Sequence, residues 1–492
     1  MLPAADTHPR SYLTLRAFGW LFASLSLVAL LSQPGATHDE WYHVSSIWCG
    51  HGERDPYCTE KLAESGSALI NLDVMVCQRA VEAPLECPTV RSGQTQVLSN
   101  FGLYPKPFYF IMSWFVTPWG SDGVVLIRLV SALFVSLSLM LLFVLLPSRY
   151  CLVALIMILT TFSSTGFFLF SSVNPSSWAA LGIGFGWLAL HAMLSVEHLS
   201  TKRRAALGVV GLLLSAMAVG SRWDAPPFLA MSAWLVVTHA LWVRLPQSRV
   251  RTVGVSLGLP IILLLLLQWF TPQKPLTYAQ RLFEYSPGEL GNVAFFSHYV
   301  LDGIPNALGA LGTLPTMSGV SVPRVVGLIG IVVLSWFVVQ TYSHRSIFQL
   351  FGTLVAGTSL TLAIMAQIAS IDERDPFGVE PRYVYPALIF LVGWWVLLGT
   401  EKQSARIVRF LKPASCAVTV AFALTMFTVA ERYVDAQTFG LRLLPEGPDQ
   451  WWWQWMPVGP NTVVILAVAT LWMFFRQVIS DISRQVEKLS AP

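Results

Sequence analysis

Charge is what this chain has least of. Of its 492 residues only 12% are Asp, Glu, Lys or Arg, whereas 54% are hydrophobic. A soluble protein of this size cannot hide so much apolar surface, so a bilayer must solvate most of the chain. Lys and Arg never gather into a basic run, and the net charge is only +4, which excludes nucleic acid as a partner. The G-x-x-x-x-G-K-[ST] loop is absent, as is a dinucleotide fingerprint on a strand-helix unit. Nothing in the sequence therefore supports a nucleotide-driven enzyme or pump, and any reaction is expected to draw on an activated substrate or a gradient. Cysteine is also scarce, with six in all and no C-x-x-C pair.

What is present is a series of apolar stretches. A spanning helix needs about 20 mostly apolar residues. About twelve segments qualify, centred near Ser24, Val135, Thr160, Phe185, Leu213, Trp234, Ile262, Val333, Ala363, Phe390, Phe422 and Leu466. The first, Ala17 to Leu31, follows Arg10 and Arg16 as a signal peptide would, but no A-x-A cleavage pattern comes after it. It reads as a retained helix. Phe108 to Pro118 is apolar but short and bounded by prolines, which predicts an interfacial or re-entrant helix. The expected fold is an all-α polytopic membrane protein of about twelve spans. It divides into an N-terminus at 1–16, a core at 17–400 that includes a long loop at 34–122, and C-terminal helices with a tail at 401–492.

Positive charge orients these spans, because cytoplasmic loops collect Lys and Arg. With twelve spans, one set of short connections holds Arg149, Lys202-Arg203-Arg204, Arg244, Arg249, Arg251, Arg345, Lys402, Arg406, Arg409 and Lys412, and the tail adds Arg476, Arg484 and Lys488. Both termini are thus predicted to be cytoplasmic. The loops at about 34–122, 271–322, 371–382 and 431–457, which carry most of the acids, are predicted to be extracytoplasmic. Cys49, Cys58, Cys77 and Cys87 all lie in the first of these loops. Four cysteines in one exported loop predict two disulfides among three connectivities, with Cys49–Cys58 and Cys77–Cys87 preferred. Zinc is the weaker reading without a C-x-x-C pair.

Candidate chemistry follows the loop. Thr37-His38-Asp39-Glu40-Trp41-Tyr42-His43 puts two adjacent carboxylates beside two imidazoles at the membrane surface. Such a group can supply a general base, or the acids can simply begin a short helix. Tyr104-Pro105-Lys106-Pro107-Phe108-Tyr109 sets a cation among aromatics at head-group depth, as a phosphate ligand or a snorkelling lysine in an aromatic belt. Arg128, Arg222 with Asp224, and Arg382 followed by Tyr383 fall near helix ends on the loop side. Ionisable groups at that depth are functional candidates, and Arg is the preferred reader of phosphate; internal pairs of Arg222 with Asp224 or Arg382 with Glu380 are the alternative. Asn174-Pro175 reads as a turn, and Trp451-Trp452-Trp453 with Trp455 as an interfacial anchor. His191 and His239 fall within helices near the opposite ends and receive no role.

In order, these features resemble the membrane-embedded glycosyltransferases of the GT-C superfamily, in which a first helix leads into a long exported loop. That loop opens on an acidic motif, here Asp39-Glu40. A Pro-rich aromatic interfacial helix follows, here Tyr104 to Phe110, and then an Arg-bearing span, here Leu126-Ile127-Arg128-Leu129-Val130-Ser131-Ala132. More narrowly, the chain is similar to the bacterial membrane family catalogued as domain of unknown function 2142, over about residues 17 to 400. That family shows an acidic pair followed by His, a cysteine-bearing loop, a Tyr-Pro-Pro-like motif, an Asn-Pro motif and a late Gly-Arg-Tyr-like motif. Here Lys106 replaces a proline, Ser176 follows Asn174-Pro175 where an acid is common, and Pro381 replaces the glycine before Arg382-Tyr383.

The resemblance implies a GT-C-like loop cap and transfer of a sugar from a polyprenyl-phosphate donor to a glycan or lipid acceptor, on the outer face of a bacterial plasma membrane. Asp39, then Glu40, would be the base, in an inverting displacement. Lys106, Arg128, Arg222, Arg382, His43 and Tyr383 would surround the phosphate. No cofactor is expected, and a divalent metal is not favoured because no second carboxylate cluster is evident. A transporter or flippase for a lipid-linked or anionic solute is the main rival, and a non-catalytic envelope scaffold the lesser one.

Overall fold

The computed structural model describes residues 11–32, 37, 40–48, 58–62, 67–71, 94–98, 104–116, 120–162, 164–244, 322–342, 349–354, 357, 381–400, 404–434 and 456–490. Its helices are α1 (Ser11–Leu30), α2 (Glu40–Trp48), α3 (Lys106–Met112), α4 (Gly120–Leu145), α5 (Ser148–Thr161), α6 (Ser164–Phe170) and α7 (Ser176–Ser195). They continue with α8 (Thr201–Ser221), α9 (Ala225–Arg244), α10 (Arg324–Thr341), α11 (Pro381–Gly399), α12 (Ser404–Val434) and α13 (Pro460–Ser490).

Seven of these helices are long and apolar enough to cross a membrane, and α1, α5 and α11 carry shorter apolar stretches. The chain is therefore a helical membrane protein. Ten of the twelve expected centres fall on these helices, while Ile262 and Ala363 lie outside the described residues. As expected, α3 does not span: with the 3-10 turn Ser113–Phe115 it is about 16 Å long, against a hydrocarbon core of about 30 Å.

Contacts at the helix ends sort the bundle into two faces. The ends of α1 and α8 meet the starts of α4 and α7 at one face, through Arg128 with Ala29 and Arg222 with Ser176. This is the loop end. At the far end, Arg203 near the start of α8 meets Leu145 at the end of α4, and Ser148 of α5 meets Gln485 near the end of α13. α1 packs antiparallel to α13, through Phe18 with Phe474 and a 3.0 Å bond from Ser24 Oγ to the Ala467 carbonyl. Ser11 and Ser490 consequently lie at the same end.

α5 is buried all round except at Arg149, as a helix at the centre of a bundle must be when its sequence is apolar on every face. α7 is similarly enclosed, and its glycines explain why. A Cβ on Gly182 would collide with the Leu214 carbonyl of α8, and one on Gly186 would lie 3.2 Å from the Leu214 Cβ. Small residues four apart thus let the backbones of α7 and α8 approach, the usual device when lipid supplies no hydrophobic drive. Several buried hydroxyls instead bond the carbonyl one turn back in their own chain, as Thr160 and Ser171 do to Ile156 and Phe167.

The first long loop contains three strands, β1 (Cys58–Leu62), β2 (Ser67–Asn71) and β3 (Gln94–Leu98), antiparallel in the order β1-β2-β3. Beneath it, α2, α3 and the start of α4 share an apolar cluster separate from the main core, built from Val44, Ile47, Trp48, Phe108, Met112 and Ile127 among others.

Candidate functional site at the loop end

Glu40 and Arg128 form its foundation. Both side chains are fully buried. Arg128 Nε donates to Glu40 Oε1 at 2.8 Å and Nη2 to Oε2, while Nη1 donates to the carbonyls of Ala29 and Ser32, each at 2.7 Å. Ala29 lies in the last turn of α1, whose carbonyls lack helical partners, so one guanidinium caps α1 and anchors the first residue of α2. Glu40 Oε1 also faces the backbone N–H of Val173, just before α7, at 3.4 Å. With both oxygens engaged, Glu40 has the geometry of an anchor. Asp39 and His38 lie outside the described residues.

One turn along α2, the buried His43 places Nδ1 3.0 Å from the Tyr109 hydroxyl of α3, with Tyr104 edge-on at 5.2 Å. Phe108 packs edge-on against Trp178 of α7 at 5.1 Å. These contacts seat α3 against α2 and α7 and leave Lys106, in its first turn, exposed. The next residue, Pro107, lies 3.0 Å from where a Cβ on Gly220 would sit, so Lys106 adjoins the end of α8.

The end of α8 carries Arg222 in an extended conformation, folded back onto α7. Its Nη1 donates to Ser176 Oγ at 2.9 Å, and Nε and Nη2 grip both oxygens of Asp224. Asn174 starts α7 by accepting the Ser176 N–H on its own side chain at 2.9 Å, which confirms Asn174-Pro175 as a turn. The Arg222–Asp224 pair considered from the sequence is therefore formed. Within the pair Asp224 is 35% exposed against 8% for Arg222.

Arg382 is buried at the start of α11, one turn before Tyr385, whose hydroxyl donates to the Thr161 carbonyl at 2.8 Å. α11 and α8 both pack on α7. Arg382 and Arg222 thus stand on helices that flank α7, at the same end. The Tyr383 side chain lies outside the described residues, as do those of Cys49, Cys58, Cys77 and Cys87, so the disulfide expectation rests on sequence. Cys151 is buried with its Sγ 3.4 Å from the Phe143 carbonyl, and Cys416 is exposed. Among the described residues no group of three or more His, Cys, Asp or Glu is placed to hold a metal ion.

The far end holds an arrangement with no signal in sequence spacing. Tyr150 Oη lies 2.8 Å from His191 Nδ1, and His191 Nε2 lies 2.9 Å from His239 Nδ1, a chain across α5, α7 and α9 walled by Trp187 and Trp394. Its members are 41 and 48 residues apart.

No family model, no curated protein and no solved structure matches the chain.

Proposed function

We propose that this protein is a membrane glycosyltransferase of GT-C type, moving a sugar from a polyprenyl-phosphate donor to an envelope glycan or lipid acceptor at the loop end. In this reading the loop end is the extracytoplasmic face of a bacterial plasma membrane, the chain makes about twelve spans, and both termini are cytoplasmic. The observation that carries the reading is the convergence at one end of the acidic start of α2, the Lys106 turn of α3 and the buried Arg222 of α8. A departing phosphate needs cations where its charge develops, and an acceptor hydroxyl needs a carboxylate on the opposite side of the sugar. Asp39 is the base. Glu40, with both oxygens on Arg128, positions Asp39 rather than accepting the proton. Lys106, Arg222 and Arg382 receive the phosphate, with Tyr383 beside Arg382, and His43 fixes α2 to α3.

Transfer from a radiolabelled polyprenyl-phosphate sugar, assayed in membranes, tests the assignment. Asp39→Asn is expected to lower turnover at least about a hundredfold with normal expression, the scale of a lost general base. Full activity in that variant would remove Asp39 from the chemistry. Comparing envelope glycans of a deletion strain and its parent by mass spectrometry would identify the transferred sugar.

One observation favours the transporter or flippase reading, namely the Tyr150–His191–His239 chain, since ionisable relays within a bundle are a means of coupling transport to protons. Proton-dependent movement of a labelled lipid-linked sugar across proteoliposomes, without transfer, would decide for it.

A further inference from the structure

Asp224 directly precedes α9, where an acidic residue ordinarily caps a helix by accepting the N–H of the second or third helical residue. In α9 those residues are Pro226 and Pro227, neither of which has an N–H to give. Capping therefore does not account for this carboxylate. Its partner is Arg222, which grips it with two donors at the rim while a third donor is held by Ser176. The two halves of the pair differ in freedom, because Arg222 is fixed by burial and by α7 whereas Asp224 sits on a two-residue turn with a third of its side chain in the open.

A planar guanidinium presents the same paired N–H geometry to a carboxylate and to a phosphate. We propose that Asp224 is a built-in stand-in for the donor phosphate, occupying the Arg222 fork when the site is empty and swinging away when a lipid-linked phosphate arrives. This rests on the phosphate-donor reading above and adds a regulatory contact to it. The exchange keeps the Arg222 charge matched throughout, first by the carboxylate and then by the phosphate. It also weakens donor binding by a standing competition, since each bound phosphate must first displace a bidentate partner and then lie near its negative charge. Lys106, exposed on the neighbouring turn of α3, is placed to offset that repulsion.

The test uses the full-length protein in nanodiscs and farnesyl phosphate as the probe, with binding measured by titration. Asp224→Asn removes the competing charge and is expected to tighten binding about tenfold, the scale of one lost charge-assisted contact. Arg222→Gln is expected to abolish binding, and the double variant to behave like Arg222→Gln. Unchanged or weaker binding in Asp224→Asn overturns the proposal, and so does a gain that survives in the double variant. If Asp224→Asn does not fold, Asp224→Ser poses the same question. Failure of both to fold also overturns the proposal, because a displaceable group must be dispensable to the fold. Binding by the wild type with no gain in Asp224→Asn refutes only the stand-in role, whereas folded wild type and Asp224→Asn that both ignore the probe refute the phosphate-donor reading with it.

Discussion

Among the described residues, Arg149, Arg203 and Arg204 at the far end of the bundle hold carbonyls at helix ends, whereas Arg128 and Arg222 at the loop end each grip a carboxylate. The carbonyls are those of Leu397, Leu145 and Val196, which close α11, α4 and α7. The carboxylates are those of Glu40 and Asp224. A carbonyl at a helix end is held by its helix and has nowhere to go, so the far-end arginines act as locks. A carboxylate rides on its own rotatable side chain, and another anion can replace it. Burial then divides the loop end itself. Glu40 and Arg128 have no exposure and three elements resting on them, which fixes that pair, whereas Asp224 stands partly in the open beside a buried cation. In the proposed reading one motif, a forked arginine on a carboxylate, serves as scaffold or site according to how deeply its acidic half lies.

The comparison is broken most forcefully at Arg128. Arg128→Ala is expected to destabilise the protein by about 3–5 kcal/mol, because Glu40 is left charged, buried and uncompensated. Replacing both members, as Arg128→Met with Glu40→Leu, should restore much of that loss, since two apolar groups leave no charge behind. Thermal unfolding in detergent, followed by intrinsic tryptophan fluorescence, checks both. A double variant as unstable as the single one would mean that the Arg128 bonds to Ala29 and Ser32 matter more than the ion pair.

How much of this is legible in the sequence follows from sequence separation. Spans such as those around Val135 and Phe422 are readable because apolar length is a local property, and α3 is readable as short because prolines bound its apolar run. The turn at Asn174 and the pairing of Arg222 with Asp224 are also local, two residues apart or less. What could not be read is every partner brought from afar. The depth of Arg128 marks it as a functional candidate, but the partner that closes its fork is 88 positions away. Ser176 reaches Arg222 across 46 positions, and His191 meets His239 across 48. Hydropathy assigns each of these residues to a helix but says nothing of which helix lies opposite. The three strands are illegible for a different reason. Each is five residues long, and Cys58–Leu62 and Gln94–Leu98 carry few apolar side chains, so no clear alternation stands out.

The far end should yield smaller effects, and they should stay confined to stability. His191→Phe keeps the ring but deprives the Tyr150 hydroxyl and the His239 ring of a partner, which is expected to cost about 1–2 kcal/mol, the scale of interhelical hydrogen bonds in membranes. Farnesyl phosphate binding should be unaffected, because the chain sits at the opposite end of α7 from Ser176. A loss of binding in a folded His191→Phe protein would show that α7 transmits strain from one face to the other, and would blur the division between lock and site. Smallest of all is Arg203→Ala. It removes one bond to the end of α4 near the surface, where a helix-terminus charge contributes about 0.3–1 kcal/mol. A drop as large as that for Arg128→Ala would mean that burial of the acidic partner is not what separates the strong arginine contacts from the weak ones.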